Sequence, residues 1–297
     1  MRLLSHAINH MASYMALETD VQPLIDYALS STQTSPYVLS QLLALSALHY
    51  SVHQPAMATE LQYHATDLQN RALGAFNATT DVSSEGIPVP AFIFASLLGI
   101  HALRNCLTCE HNSMAAFVTD FVRYARIHRG VRSVIDGHWD EISESHLRPL
   151  LYTSRWIQDN EALNRGTETD SLQELLKTLP DQMALSIQAS IKALQSVQWM
   201  LDLKRLVATN SARCVQITFA WPLVVPDAFI DCLYQHRPEA LAVLAFFGAS
   251  LHQQTDFWVF GNAGLGLVRL IVEHIGPFWS DALSWPREVI ADKDAVA

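Results

Sequence analysis

A few groups of residues have the types and spacing that chemistry needs. Cys106 and Cys109 are separated by two residues and followed by His111, which is the spacing of half a zinc site. A structural zinc takes four ligands, and the other two cysteines, Cys214 and Cys232, stand alone in the sequence. No metal is therefore expected. His6 with His10, and His49 with His53, are i,i+4 pairs that put two imidazoles on one helix face. Neither pair encloses the glutamate of a zinc-protease helix. Asp136, His138, Asp140 and Glu141 cluster without the register of a calcium loop, and solvation is their expected role.

The run Gly261-Asn-Ala-Gly264-Leu-Gly266 lacks both the preceding strand of a dinucleotide fold and the Lys-Ser/Thr of a phosphate loop. Its glycines are read as sites where a helix start approaches another backbone, or a ligand, closely. No G-x-S-x-G and no nucleophile–base set is present, and no cofactor is implied. What remains is a concentration of aromatic residues near the C-terminus: Phe246, Phe247, Phe257, Trp258, Phe260, Phe278, Trp279 and Trp285. They make either a plain core or an apolar cavity between helices. Phe247, Ser250, Leu251 and Gln254 share one helix face at 3- and 4-residue spacing. The expected lining of such a cavity is Phe246, Phe247, Ser250, Leu251, Trp258, Gly261, Asn262, Gly264 and Leu265. Gly264→Trp or Gly261→Trp is expected to fill it and leave the helices intact.

These residues must be held by helices. Apolar side chains recur at 3- and 4-residue spacing over 36–50, 59–76, 91–103, 114–128, 147–164, 183–208, 228–234, 238–253 and 263–275. Gly130 is read as the stop of the fourth of these, and Asp227 as the N-cap of the seventh. Trp221-Pro222 and Val225-Pro226 read as breaks, and Arg269 and Glu273 as an outward pair. No period-2 alternation and no internal repeat occurs. The fold class is all-α, a multi-helix bundle with its pocket in the C-terminal half. The most polar stretch, 164–181, divides an N-terminal half (1–163) from a C-terminal half (182–297) and is expected to be a mobile connector.

Composition narrows the function. The chain has 297 residues, half of them hydrophobic and 16% charged, with a net charge of −10. A mean hydropathy of +0.13 excludes intrinsic disorder. Basic residues are few, and Arg123, Arg126, Arg129 and Arg132, spaced by three, read as a solvated helix face rather than a phosphate-binding footprint. No direct nucleic-acid partner is expected. The apolar stretches 89–103, with Pro90 and His101 inside it, and 240–251 fall short of the roughly 18 residues a membrane span needs. With no secretory signal and four cysteines, the expected location is intracellular, in cytoplasm or nucleus.

Several segments are familiar. Pro36-Tyr-Val-Leu-Ser-Gln-Leu-Leu-Ala-Leu-Ser-Ala-Leu-His49 resembles the opening helix of the C-terminal regulatory region of fungal zinc-cluster transcription factors, particularly the sterol uptake control subfamily. Tyr63-His-Ala65 with Ala72-Leu73 resembles its second helix, and Arg129-Gly-Val131 with Trp139, and Leu147-Arg-Pro-Leu150, resemble its middle. Trp221-Pro222, Phe229, Arg237-Pro-Glu-Ala-Leu-Ala-Val-Leu-Ala245, Phe257-Trp258 through Gly264, Trp279 and Trp285-Pro286 resemble its last third. The resemblance implies an all-helical domain with a hydrophobic pocket that in some members binds sterol. By position, that pocket involves 240–251 and 258–264. The family reads DNA through a six-cysteine zinc cluster, which a sequence with four cysteines does not hold.

Two functions follow. The first is a regulatory module that binds an apolar small molecule of sterol, terpenoid or polyketide type and changes its association with itself or a protein partner. The second is a metal-independent cyclase or pericyclase of secondary metabolism, which folds a polyene, terpenoid or polyketide into a reactive conformation. Its candidate donors are His252, Gln253, Asn262 and His101, which sit on or beside apolar helices.

Overall fold

The computed structural model describes residues 2–80, 88–109, 111, 113–135, 138, 142, 144–145, 165–180, 183–207 and 211–294. Every regular element among them is a helix. In chain order these are α1 (Arg2–Tyr14), α2 (Gln22–Ser30), α3 (Pro36–His53), α4 (Ala58–Thr80), α5 (Pro88–Thr108), α6 (Met114–Ile135) and α7 (Asp170–Thr178). They continue with α8 (Ala184–Leu206), α9 (Ser211–Val224), α10 (Asp227–Tyr234), α11 (Pro238–His252), α12 (Ala263–Ile275) and α13 (Ser284–Asp294). The residues fall into two compact units, one of 1–103 with 127–156, the other of 104–126 with 157–297.

In the first unit α3 is the central helix. Its apolar residues run all round, and Tyr37, Val38, Leu42, Leu45 and Leu48 are buried. Helices α4 and α1 pack against it. Tyr37, Phe76 and Phe94 join α3, α4 and α5 in a ring cluster, with Phe76 and Phe94 stacked at 4.6 Å.

In the second unit α11 is enclosed on every side. All of its residues from Glu239 to His252 are buried. It packs on α12, α8 and α13. Phe247 stacks on Trp221 of α9 at 4.5 Å, and Phe246 stacks on Trp285 of α13 at 5.6 Å.

Several expectations are corrected. Gly130 does not stop α6, which runs on to Ile135; a glycine inside a helix costs only about 1 kcal/mol relative to alanine. Pro222 lies inside α9 rather than breaking the chain before it. Pro222 cannot make the amide bond to the Thr218 carbonyl, and only two residues of the helix follow it. Pro226, not Asp227, is the N-cap of α10. Much of 164–181 is the helix α7, whose Leu172 and Leu176 are fully buried. The stretch bonds to α8: Gln198 accepts from the Thr169 amide and hydroxyl, and Asp202 accepts from the Gly166 amide. The stretch 147–164, and Asp136, Asp140 and Glu141, lie outside the described residues.

Helix α5 is longer than expected. Pro90 sits in its first turn, where a missing N–H costs no helical bond, so the helix continues to Thr108. Residues Val89–Thr108 are long and apolar enough to cross a membrane, with a mean hydropathy of 1.4, but 61% of that window is buried within the protein. Burial of Ile93, Phe94, Leu97 and His101 is the pattern of a core helix. Helices α9 and α10 pass the same test only as a pair bent by 84°.

Candidate functional site

The nine residues expected to line a cavity stand on α11, on α12 and in the segment between them. In that expected cavity Phe246, Phe247, Ser250 and Leu251, all buried on α11, are the wall, and the half-buried and exposed residues of 258–265 are the rim. Phe246, Phe247 and Ser250 meet α13, α9 and α8, whereas α12 meets α11 at Gly248 and His252, where Gly264 is buried. Trp258, Gly261 and Leu265 are half-buried, and Asn262, the N-cap of α12, is exposed. The rim segment is wound by successive backbone turns, with the amides of Phe257, Phe260 and Gly261 donating to the carbonyls of Gln254, Phe257 and Phe257. Phe219, Phe257 and Phe260 cluster edge-on and tilted at 5.1 to 5.8 Å, which fastens this segment to α9. Arg104 donates to the Trp258 carbonyl and sits 5.6 Å over the Trp258 ring.

The glycines serve two purposes. Gly264 sits directly on the backbone of α11: a Cβ there would lie 2.4 Å from the Gly248 carbonyl oxygen. It is a helix-crossing residue, and Gly264→Trp is incompatible with this packing. Gly261 has φ +45° and open space around its missing side chain. Its freedom serves the turn rather than the crossing.

Behind the wall lies a residue that the sequence reading passed over. Lys204 of α8 is 8% exposed. Its Nζ donates to the Ser250 hydroxyl at 2.8 Å, the Ser250 carbonyl at 3.2 Å and Gln253 Oε1 at 3.1 Å. No carboxylate pairs with it among the described residues, and burial holds its pKa down to about 8. Its position was legible as a stripe: Leu194, Val197, Leu201 and Lys204 follow one another at 3- and 4-residue steps.

Three of the four donors considered for catalysis stand in the second unit: His252 is buried, Gln253 serves Lys204, and Asn262 opens α12. His101 belongs to the first unit, where its Nδ1 lies 3.4 Å from Gln41 Nε2 and burial lowers its pKa to about 4. A separate groove of about 360 Å³ lies between α12 and α13, lined by Arg269, Val272, Glu273, Arg287, Ile290 and Ala291. None of the nine expected residues lines it. Arg269 and Glu273, expected to face outward, are both exposed and stand at this groove.

The two histidine pairs meet. His6 Nε2 is 2.8 Å from His49 Nδ1, and His49 Nε2 is 3.0 Å from His53 Nε2. The His6 and His10 rings lie 4.7 Å apart. Burial, with His10 and His53 nearby, lowers the His6 pKa to about 4.

No protein-family model and no solved structure matches the chain. Among curated proteins, a Zn(2)-C6 fungal-type transcription factor of Gibberella zeae is 24% identical over 316 residues. The alignment covers 96% of this chain and 60% of that relative. The chain is similar to a fungal transcription factor over nearly its whole length. It spans less than two thirds of that relative, so the relative's own activity is not carried over with the fold.

Proposed function

We propose that this chain is a regulatory module of the fungal transcription-factor type, switched by an apolar small molecule of the sterol, terpenoid or polyketide class. The observation that carries the reading is the similarity across 96% of the chain to a Zn(2)-C6 fungal-type transcription factor. A nuclear or cytoplasmic location follows from it.

The ligand enters at the rim of Trp258, Gly261, Asn262 and Leu265 and lies against the α11 wall. The ring contacts of Phe246 and Phe247 yield to make room for it. Burying about 300 Å² of apolar surface gains roughly 8 kcal/mol before the costs of association. That is enough to exchange aromatic pairs worth about 0.5–1.5 kcal/mol each. Gln253 is exposed, and a ligand oxygen that takes its place accepts the ammonium proton that Lys204 now gives to it. The ligand class is thus an apolar body with one hydroxyl, carbonyl or carboxylate.

Thermal melting of the full chain against a panel of such compounds tests this. A compound that raises the melting temperature of the wild type, but not of Leu265→Trp, supports the reading. A panel that leaves the wild type unmoved contradicts it.

A further inference from the structure

The turn between α5 and α6 assembles a donor set that chain spacing did not reveal. Cys109 Sγ, an imidazole nitrogen of His111 and a carboxylate oxygen of Asp120 all lie within 4.8 Å of one another. They come from three places. Cys109 caps the last turn of α5, its amide bonded to the Asn105 carbonyl at 3.1 Å. His111 lies in the connector, and Asp120 stands in the second turn of α6.

The site is organised beyond these three atoms. The His111 side chain is 7% exposed, and the Phe117 ring meets it edge-on at 5.1 Å. Its Nε2 is 3.2 Å from Asp120 Oδ2, while Asp120 Oδ1 is 3.3 Å from Arg123 Nη1. One carboxylate oxygen therefore meets the guanidinium and the other the imidazole. Phe117, Asp120 and Arg123 are spaced by three along α6, so a single helix face provides the clamp, the ligand and its support.

We propose that Cys109, His111 and Asp120 bind a divalent ion of the zinc class, with a solvent-facing fourth position taken by water. Zinc bonds of about 2.0–2.3 Å in a tetrahedron put ligand atoms about 3.3–3.7 Å apart. The His111–Asp120 separation of 3.2 Å is close to that already. Cys109 is exposed and its χ1 is free to bring Sγ in by the remaining distance, on the order of 1 Å. On binding, the thiol releases its proton to solvent. The thiolate and the carboxylate then balance the two charges of the ion. Cys106, one turn earlier and buried, is not a ligand.

Cobalt titration of the reduced, chelator-treated full chain tests the site. One equivalent of Co²⁺ is expected to give a thiolate-to-cobalt charge-transfer band and d–d absorption of tetrahedral intensity, both displaced by Zn²⁺. Cys109→Ser removes the charge-transfer band. His111→Ala and Asp120→Asn weaken zinc by more than the roughly 10–100-fold that an outer-sphere partner costs. Cys106→Ser keeps the band, and circular dichroism confirms that each variant is folded. Absence of the band in the wild type overturns the proposal. So does a band that survives Cys109→Ser.

Discussion

Gly264 of α12 rests on Gly248 of α11, so that a Cβ at 264 would lie 2.4 Å from the Gly248 carbonyl oxygen and 2.5 Å from the His252 amide nitrogen. The reverse contact is softer. A Cβ at Gly248 would meet the Val268 and Leu267 side chains at 3.1 and 3.2 Å. Backbone cannot step aside without separating the helices, whereas leucine and valine ends can.

Gly264→Ala is therefore expected to cost more stability than Gly248→Ala, about 1–3 kcal/mol or more against a smaller loss. Gly264→Trp should fail to fold. Gly261→Ala meets no neighbour and carries only left-handed strain, on the order of 1–2 kcal/mol. Equilibrium denaturation of the three alanine variants checks the ranking, and equal losses at 264 and 248 would contradict it.

Lys204 makes an alkaline prediction. Its folded pKa of about 8 lies below the ordinary 10.5, so between these values the unfolded chain holds more protons than the folded one. Stability contributed by this group therefore rises as pH increases from 8 to 10.5. Lys204→Met removes the buried charge, and Gln253, already exposed, turns to solvent. The variant also leaves the buried Ser250 hydroxyl and carbonyl without their Lys204 donor, so at pH 7 a loss of about 1–3 kcal/mol opposes the relief of the buried charge, and the alkaline slope is expected to disappear. Chemical denaturation at pH 7, 8, 9 and 10 reads both effects.

The buried imidazoles make the opposite end testable. His101 and His6 both have folded pKa values lowered from 6.5 to about 4. Below pH 6.5 the unfolded chain protonates first, so the stability difference they set is lost as pH falls towards 4. For the deeply buried His101 the loss is on the order of 3 kcal/mol by pH 4. His6 is more exposed and water softens its share. His101→Gln keeps a polar group beside Gln41 and does not titrate. Its denaturation midpoint should fall less steeply between pH 6.5 and 4 than that of the wild type.

Much of this was legible in the sequence because it is local. The 3- and 4-residue spacing of Leu265, Val268, Ile271, Val272 and Ile275 gave α12 its bounds to the residue. Other elements were missed: α1 and α2 were passed over, and α7 was hidden in a polar stretch whose Gly166 and Thr169, just before the helix, bond to Asp202 and Gln198, about 30 residues away. Site residues that come from different helices stayed hidden. The two histidine pairs were visible, but not that His6 meets His49 across 43 residues. Cys109 and His111 were visible, but Asp120, nine residues beyond His111 in α6, joins them only in the folded chain. Lys204 disappeared among leucines, since a charge on an apolar stripe is counted as an interruption unless its partners are known.

The most direct measurement of the central claim is a reporter assay. The full chain is fused to a heterologous DNA-binding domain and transcription is measured with and without sterol, terpenoid and polyketide compounds. Reporter output that changes with one compound class, and stays constant in the Leu265→Trp fusion at equal protein level, is the predicted result. Output that is the same with every compound, from a fusion shown to be expressed and folded, would contradict it.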